Sequence, residues 1–411
     1  MSRERSHKIT ILSLTLVIFI DTMTLALVFP LFAVLFNDPH GIVPIETSTA
    51  VRNLLYAMII SIPMFALLFG APVLGELSDR WGRKAVLLIS LFGVFISCVL
   101  SITSLYLASI TLLFISRVLV ALMDSSQAIA QAAIVDISSA EDKVKNMSFI
   151  TLASTIGFII GPLVGGILSD DKLFSWFNYK VPFLVAAILA LLNFILLNYL
   201  FTETRKPAIR EPLHWRKIFL RLLHGFIDKR YFRLSMVFVA MQFSWAGLYQ
   251  ASNLLLAQHF HYSVAKLGLF STYIAVIFSL GLLLFLRLLL SFLSPLNIAR
   301  CGLLLLALGL LLCSFSFTAN NEMLVWLALI PASIGMALIY NNLVVLFSNA
   351  VDAAEQGKMM GITVGLTAIA WLLSGIFIGI LTAISYQWTF LIQAIIILLS
   401  FILLLFHLEK S

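Results

Sequence analysis

The sequence predicts an all-α membrane protein with twelve transmembrane helices in two six-helix bundles. The first observation is composition: 61% of the 411 residues are hydrophobic and 11% are charged, whereas about a quarter of the residues in a soluble domain are charged. The second is the division of the chain into long apolar runs, and the third is an internal repeat at about half the chain length. Together with a mean hydropathy of +1.07, these observations exclude a soluble domain.

A membrane-spanning helix needs about 20 apolar residues, and the chain has twelve such runs with short connections. We call them spans 1 to 12. Their expected positions are 9–36, 53–74, 85–103, 106–131, 147–168, 181–201, 232–257, 266–290, 297–318, 323–348, 359–384 and 388–407. The basic N-terminal tail and the first run resemble a signal peptide, but the length of the run and the lack of a small-residue cleavage site favour a retained helix.

The distribution of Lys and Arg predicts the orientation of the spans. With both termini in the cytoplasm, 21 of the 26 basic residues lie on the cytoplasmic side and 4 on the other side, and the remaining one is Arg117 within span 4. This bias satisfies the positive-inside rule. We expect a multi-pass protein of the cell membrane, with a bacterial inner membrane as the preferred interpretation. The net charge of +7 then indicates contact with membrane lipid and not with nucleic acid.

An internal repeat divides the chain into two halves. The segment Gly161–Leu168 aligns with Ser374–Leu381 at an offset of 213 residues, and Val135-Asp136 meets Val351-Asp352 near the same offset. The long polar stretch between the sixth and seventh runs separates the halves. We therefore predict six-helix bundles at residues 1–202 and 232–411, joined by a cytoplasmic linker at 203–231, with both halves in the same orientation as parallel repeats.

A charged segment between spans 2 and 3 carries the most specific motif. It reads Gly-Glu-Leu-Ser-Asp-Arg-Trp-Gly-Arg-Lys from Gly75 to Lys84, and the apolar runs on both sides carry no charge. From the residue types alone, Gly75 is expected to turn the chain where span 2 ends, and Asp79 to cap or face the start of a helix. An ordinary positive-inside loop would explain the basic residues but not the paired glycines.

This segment resembles the G-x-x-x-D-R-x-G-R-K motif of the major facilitator superfamily. All six positions match, namely Gly75, Asp79, Arg80, Gly82, Arg83 and Lys84. The resemblance implies the fold of that superfamily and a conformational latch at these residues, which contacts the end of span 11 in one state and releases it in the other. The motif does not recur in the second half of the chain, where the repeat offset leads to residues 288–297.

Span 5 contains a second motif. Gly157, Gly161 and Gly165 recur every four residues, a spacing that lets two helices approach closely in lipid. Pro162 adds a local break in the helical hydrogen bonds, which generic helix packing would not require. With Gly166, these residues resemble the G-x-x-x-G-P-x-x-G-G motif of superfamily antiporters, and this resemblance implies export.

Span 1 contains Asp21 in apolar surroundings, where a charge costs about 3 kcal/mol on insertion scales. Span 4 places Arg117, Asp124 and Gln131 seven residues apart, so that all can face the bundle centre. A low dielectric favours the protonated carboxyl and a nearby guanidinium favours the ionised one. We therefore predict proton coupling by Asp21, with Asp124 as the second candidate and Arg117 as the residue that adjusts proton affinity. The alternative is that Asp21 pairs with Arg117 only to fasten span 1 to span 4.

Two further features of these spans resemble superfamily patterns. Asp21 is followed nine residues later by Pro30, which is similar to the start of tetracycline-type drug:proton antiporters. Arg117 matches the arginine of the R-x-x-x-G motif of span 4, although Ala121 stands where that motif has glycine. The match in span 4 is therefore partial.

Further polar and aromatic residues are expected to line a central cavity, because the superfamily resemblance places spans 1, 4, 7 and 10 around it. They are Gln127 and Gln131 of span 4, Gln242, Trp245, Tyr249 and Asn253 of span 7, and Tyr340, Asn341 and Asn342 of span 10. Flat aromatic surfaces, amides and few charges suit a bulky amphipathic molecule. Ordinary helix packing remains the alternative for each residue taken singly.

These expectations combine into a secondary transporter that exports a small organic compound in exchange for protons, as a monomer and without a cofactor. Transport of a nutrient, metabolite or siderophore on the same fold remains open, and so does a transport-dead receptor or scaffold. An enzyme is disfavoured because the spans contain no HExxH or GxSxG motif. Cys98, Cys301 and Cys313 have no Cys or His at ligand spacing, so neither a disulfide nor a metal site is expected.

Overall fold

The structure is a computed structural model that describes residues 3–38, 41–138, 142–204, 231–350 and 356–406. Within these ranges every regular element is helical. The helices of spans 1 to 6 are Arg3–Ala26 with Phe29–Leu35, Thr49–Trp81, Arg83–Tyr106, Ile110–Met123 with Ser126–Ile137, Lys143–Leu168 and Val181–Leu200. Those of spans 7 to 12 are Phe232–Gln258, Val264–Leu280 continued by Gly281–Leu286 and Arg287–Leu289, Pro295–Thr318, Glu322–Asn349, Gln356–Leu381 and Tyr386–Leu405.

Eleven segments of the described chain are long and apolar enough to cross a membrane. The remaining long helix is span 7, Phe232–Gln258, which buries several amide and hydroxyl side chains along its length. Those polar residues lower its hydropathy, yet its 27 residues are more than the length that a bilayer requires. The predicted fold class, an all-α membrane protein with twelve spans, is confirmed.

Three spans are interrupted where the apolar pattern predicted continuous helices. Span 1 ends its first helix at Ala26 and resumes at Phe29 with Pro30 in the first turn, a position that tolerates proline because the missing N–H has no helical partner there. Span 4 breaks at Asp124 and Ser125, which have non-helical dihedral angles. Span 8 continues as a π-helical turn over Gly281–Leu286. Hydropathy cannot reveal such breaks, since they depend on the backbone and not on polarity.

The chain forms two compact units. Unit 1 comprises Met1–Ile45, Ala66–Leu213 and Tyr262–Thr272. Unit 2 comprises Glu46–Phe65, His214–His261 and Tyr273–Ser411. The predicted linker lies almost entirely outside the described residues, and the division into bundles at 1–202 and 232–411 stays a prediction.

The core of unit 1 holds span 1 against its neighbours. Val17 and Ile18 of span 1 belong to one buried cluster with Leu87 of span 3 and Ala130 of span 4. The buried Asn193 of span 6 donates its amide Nδ2 to the carbonyl of Val17 at 2.9 Å. These contacts surround the turn of span 1 that precedes Asp21, and thereby fix where its carboxyl lies.

Candidate functional site

A buried cluster of charged groups lies inside unit 1. The side chains of Asp21 and Arg117 are only 5% and 7% exposed, and Asp124 is half-buried. The Asp21 carboxyl lies within electrostatic range of Asp124 and next to Ser126, and the Arg117 guanidinium lies within range of Asp124 and Cys98. The structure thus brings together the three residues that the sequence analysis selected for proton coupling.

The break in span 4 positions two members of this cluster. Asp124 ends one helix, and Ser126 begins the next beside Asp21. The start of that twelve-residue helix supplies a partial positive charge near the carboxyl, because the first backbone N–H groups of a helix have no helical partners. Span 4 is therefore two helices and not the one continuous helix that its apolar run predicted.

Buried serines fasten span 4 to span 3 at both ends of this cluster. Ser97 donates to the carbonyl of Ser116 at 2.7 Å, and the hydroxyls of Ser101 and Ser116 are 2.8 Å apart. The hydroxyls of Ser90 and Ser125 lie 3.4 Å apart. Since Ser116 precedes Arg117 and Ser125 follows Asp124, these hydrogen bonds fix the backbone on both sides of the charged groups.

The Arg117 guanidinium is not held by a direct ion pair. Within the described part of the chain, no carboxylate oxygen lies within 4.0 Å of its nitrogens. The guanidinium carbon instead lies 5.3 Å from the ring centroid of Phe32, within the range of a cation–π interaction, and the described residues offer its buried Nε atom no hydrogen-bond acceptor. The alternative in which Asp21 and Arg117 form a direct structural pair is therefore not the arrangement found here.

Two of the predicted latch residues, Asp79 and Arg83, belong to an ion network at the junction of spans 2 and 3. The Arg83 guanidinium lies 2.8 Å from Oδ1 of Asp79 and 3.1 Å from Oδ2 of Asp136, and it donates to the Ser78 hydroxyl at 2.6 Å. Arg80 pairs with Glu76 one helical turn earlier. Asp136 at the end of span 4 was not predicted as part of this site, because an acidic residue at the end of an apolar run is normally solvated.

The turn between spans 2 and 3 lies at Gly82 and not at Gly75. The helix of span 2 continues to Trp81, and a Cβ added to Gly75 within this helix would meet no atom of a neighbouring described element within 4 Å. Gly82 alone separates the two helices, with φ at 98°, a conformation that L side chains rarely adopt. The expectation that Gly75 turns the chain is wrong, because the charged residues are helical and extend span 2 by about two turns.

The glycines of span 5 pack against two different spans. A Cβ on Gly157 would lie 2.9 Å from the carbonyl oxygen of Phe19, and a Cβ on Gly161 would lie 2.8 Å from that of Met23. Gly165 meets the backbone of Leu27. Gly157 and Gly161 therefore pack against the helix of span 1 that carries Asp21, and Gly165 packs against the residue that follows this helix.

Gly166 and Pro162 face the first residues of span 8. A Cβ on Gly166 would lie 3.1 Å from Cα of Gly268, and a Cβ on Gly268 would overlap the carbonyl oxygen of Pro162. The Thr272 hydroxyl donates to the Ile159 carbonyl at 2.8 Å, three residues before the proline that lacks a backbone donor. Span 8 thus supplies a hydrogen bond next to the weakened turn.

The cavity residues predicted in the second half lie in unit 2 in differing environments. Gln242 and Asn253 are buried, and Gln242 donates to the Thr367 hydroxyl at 2.9 Å. Trp245 and Tyr249 are half-buried, and the ring centroids of Trp245 and Phe278 are 6.3 Å apart. The spacing that selected these residues does place them on one helix, but they differ in burial.

The remaining predicted cavity residues are more dispersed. In span 10, Tyr340 is exposed and Asn341 and Asn342 donate to carbonyls four residues earlier in their own helix. In span 4 of unit 1, Gln127 is exposed and its Oε1 accepts from Ser154 at 3.3 Å, and Gln131 is half-buried. Three consecutive residues cannot share one face of a helix, which explains the scatter in span 10.

Unit 2 contains a buried polar network that the sequence analysis missed. Asn53 of span 2 is fully buried, donates to the Thr382 hydroxyl at 3.0 Å and accepts from Gln258 Nε2 at 2.5 Å. The Tyr386 hydroxyl donates to Gln258 Oε1 at 2.6 Å. These residues lie at the ends of four different spans, where polar side chains are normally solvated. Only their meeting in space reveals the network.

A surface pocket of about 510 Å³ lies at the end of unit 1 that carries the connection between spans 5 and 6. The Tyr179 hydroxyl donates to the Asp38 carboxylate. Burial, then this hydrogen bond, raise the pKa of Tyr179 well above its usual value. Lys180 lies with its Nζ 3.8 Å from the ring centroid of Tyr106. Tyr179, Asp38 and Lys180 therefore already have interaction partners. The residues that line the pocket do not include Asp21, Asp124 or Arg117.

Comparisons with known proteins agree on one family. The family model of the Major Facilitator Superfamily matches residues 12–298 and 234–411. The class C tetracycline resistance protein of Escherichia coli is 32% identical over 197 residues, 48% of this chain and 46% of that protein. The class H protein of Pasteurella multocida is 29% identical over 204 residues, 50% of this chain and 46% of that protein. The chain thus spans about half the length of the curated relatives it matches.

Solved structures share the fold over the whole chain. The crystal structure of the human organic anion transporter MFSD10 covers 98% of this chain and 100% of its own, with a TM-score of 0.68 and 20% identity. That of a D-xylose-proton symporter covers 94% and 97%, with a TM-score of 0.69 and 17% identity. At these identities the likeness concerns the fold alone. With the family match over both halves and twelve helical spans, the chain belongs to the Major Facilitator Superfamily.

Proposed function

We propose that the chain is a secondary transporter that exports a small organic compound in exchange for protons. The observation that carries this proposal is the buried cluster of Asp21, Asp124 and Arg117 in unit 1. The similarity to tetracycline resistance proteins over about half of the chain supports a drug-like substrate. In this proposal the chain acts by binding and conformational change and not by covalent catalysis.

The charges of the cluster indicate how one proton can be held. With both carboxyls ionised, two negative charges face one guanidinium, and the cluster carries a net charge of −1 in a low-dielectric interior. With one carboxyl protonated, the cluster is neutral, which lowers the cost of burial. Asp21 is the proposed carrier, because it is the more buried carboxyl and forms no ion pair within the described part of the chain. Arg117 compensates the carboxylate that stays ionised.

Exchange of substrate for protons follows if binding of the substrate competes with protonation of Asp21. In the proposed cycle the substrate enters when Asp21 loses its proton, and renewed protonation from the acidic side favours release. Glutamine, tyrosine and tryptophan side chains of span 7 would contact an amphipathic substrate, whose flat apolar surface and hydrogen-bonding groups suit such a lining. The protein would act as a monomer in contact with membrane lipid, in a bacterial inner membrane with both termini cytoplasmic, and as two six-helix bundles at 1–202 and 232–411.

Reconstitution into liposomes that contain a pH-sensitive dye tests this proposal. With an imposed pH gradient and a panel of drug-like compounds, the wild-type chain is expected to show substrate-dependent proton flux. Asp21→Asn should abolish uphill transport and leave insertion and substrate-independent thermal stability intact. Glu46→Gln, which changes an exposed carboxylate between spans 1 and 2, is the matched control and should behave as the wild type.

Three results would refute the proposal. Proton-driven transport at the wild-type rate in Asp21→Asn would remove Asp21 from the coupling step. The absence of proton flux with every compound, in protein that is inserted and folded, would argue for a receptor or scaffold. Inward accumulation of a compound together with protons would instead establish uptake.

A further inference from the structure

Charged side chains link the end of span 6 to the start of span 3, one from each side. Glu203, three residues after the helix of span 6, accepts the backbone N–H of Arg83 with Oε1 at 2.9 Å and the backbone N–H of Lys84 with Oε2 at 3.0 Å. In return, Lys84 donates its Nζ to the carbonyl of Asn198, in the last turn of span 6, at 2.7 Å. Each helix end thus receives a side chain from the other.

The signs of both charges match the helix ends that they contact. Arg83 and Lys84 are the first two residues of span 3, and their N–H groups have no acceptor within the helix. A carboxylate that accepts both N–H groups satisfies them and also lies at the positive end of the helix dipole. The carbonyl of Asn198 lies at the negative end of span 6, where an ammonium group is favourable.

Gly82 makes room for this carboxylate. Besides its φ of 98°, a Cβ on Gly82 would lie 2.8 Å from Cδ of Glu203. Two structural features therefore require glycine at position 82. One is a backbone conformation that favours glycine, and the other is the close approach of an acidic side chain from the end of another span. The second reason cannot be found from the motif itself, since Glu203 follows Arg83 by 120 residues.

The contacts also position the Arg83 side chain. Its backbone N–H is held by Glu203, while its guanidinium contacts Asp79 and Asp136. The guanidinium is almost fully buried, with 7% of the side chain exposed, so its placement depends on where the first turn of span 3 lies. The same residue thus links the ends of spans 2, 3, 4 and 6.

We propose that Glu203 and Lys84 form a reciprocal clamp between the ends of spans 6 and 3, and that this clamp positions Arg83 in the ion network with Asp79 and Asp136. Glu203 is a positioning residue for the conformational cycle and does not contact the substrate. The role in transport rests on the proposed function, whereas the clamp itself does not.

Hydrogen exchange of the full chain in liposomes tests the clamp without any substrate. A peptide that covers residues 82–88 is followed by mass spectrometry in the wild type, Glu203→Ala and Glu203→Gln. Because Glu203 accepts the N–H groups of Arg83 and Lys84, these amides should exchange at least about tenfold faster in Glu203→Ala. Glu203→Gln keeps one acceptor oxygen and should give an intermediate rate. Glu76→Gln, which weakens the pair with Arg80, should leave the rates unchanged.

A second readout separates positioning from general loss of structure. In the transport assay, Glu203→Ala should lower turnover several-fold with little change in KM, and Glu203→Gln should recover part of it. Unchanged exchange in Glu203→Ala, or an equal increase in Glu76→Gln, would overturn the clamp. Faster exchange with wild-type turnover would overturn its role in the cycle. If no compound is transported by the wild type, the proposed function fails, and the exchange data still decide whether the clamp exists.

Discussion

Replacing Gly165 with alanine tests the close packing of span 5 on span 1. The added Cβ would overlap the carbonyl oxygen of Leu27 and would lie 2.6 Å from its carbonyl carbon, whereas carbon atoms pack favourably at about 3.5–4.0 Å. Because both of these atoms belong to the backbone, span 1 must move by at least about 1 Å. Overpacking of this kind costs about 1–3 kcal/mol.

Gly75→Ala is the matched control for this substitution. Gly75 also lies within a helix, but a Cβ there would meet no atom of a neighbouring described element within 4 Å. Alanine is favoured over glycine inside a helix by about 0.5–1 kcal/mol, and this gain applies to both variants. The difference between the two variants therefore isolates the steric cost at Gly165.

The assay is thermal unfolding of both variants in the same detergent at one scan rate. For a unit of about 200 residues, each kcal/mol corresponds to about 2–4 °C in Tm, so Gly165→Ala should unfold several degrees below Gly75→Ala. Proton flux should fall in Gly165→Ala as well, since the displaced span carries Asp21. Equal Tm values for the two variants would refute the packing argument.

Two other hydrogen bonds give predictions of their own. Asn53→Ala leaves Gln258 without its buried amide partner and should lower the unfolding free energy by about 1–3 kcal/mol, seen as a lower Tm; an unchanged Tm would show that the network is dispensable. Thr272→Val removes the donor to the Ile159 carbonyl at nearly constant volume and should cost about 0.5–1.5 kcal/mol. Thr155→Val, which removes an exposed bond within one helix, is its control, and equal Tm shifts for the two would contradict the special role of Thr272.

Sequence reasoning predicts the features that depend on composition and short spacing. Eleven of the twelve spans follow from hydropathy alone, and the buried position of Asp21 follows from the cost of placing a carboxyl among acyl chains. The four-residue spacing selects the glycines of span 5, and they do make close helix contacts. In each case the signal lies within a single helix, so that no knowledge of its neighbours is needed.

Sequence reasoning fails where distant segments or backbone geometry decide. The polar run at residues 124–127 makes span 4 the least apolar of the eleven candidate spans, but hydropathy does not show that the helix breaks there and that Ser126 lies beside Asp21. Glu203 and Asp136 complete the surroundings of Arg83 from other spans. Acidic residues at the ends of apolar runs look solvated in a sequence, and only the tertiary structure shows which of them accept hydrogen bonds.

The repeat in the sequence reappears as a repeat in the contacts. Gly166 of span 5 meets the first residues of span 8 within unit 1, and Gly379, which the offset of 213 residues relates to Gly166, meets Leu54 in the first turns of span 2 within unit 2. Span 8 is the counterpart of span 2 in the second half of the chain. Each half therefore contributes the beginning of its second span to the unit built mainly from the other half.

These contacts explain why the predicted bundles at 1–202 and 232–411 differ from the two compact units. A boundary drawn in the linker assigns spans 2 and 8 wholly to one half each, but the compact units divide span 2 after Phe65 and span 8 after Thr272. At these contacts glycines let the backbones approach more closely than larger side chains would permit. The first turns of spans 2 and 8 are therefore held by groups remote in sequence, and Asn53 and Thr272 supply the hydrogen bonds there within their respective units.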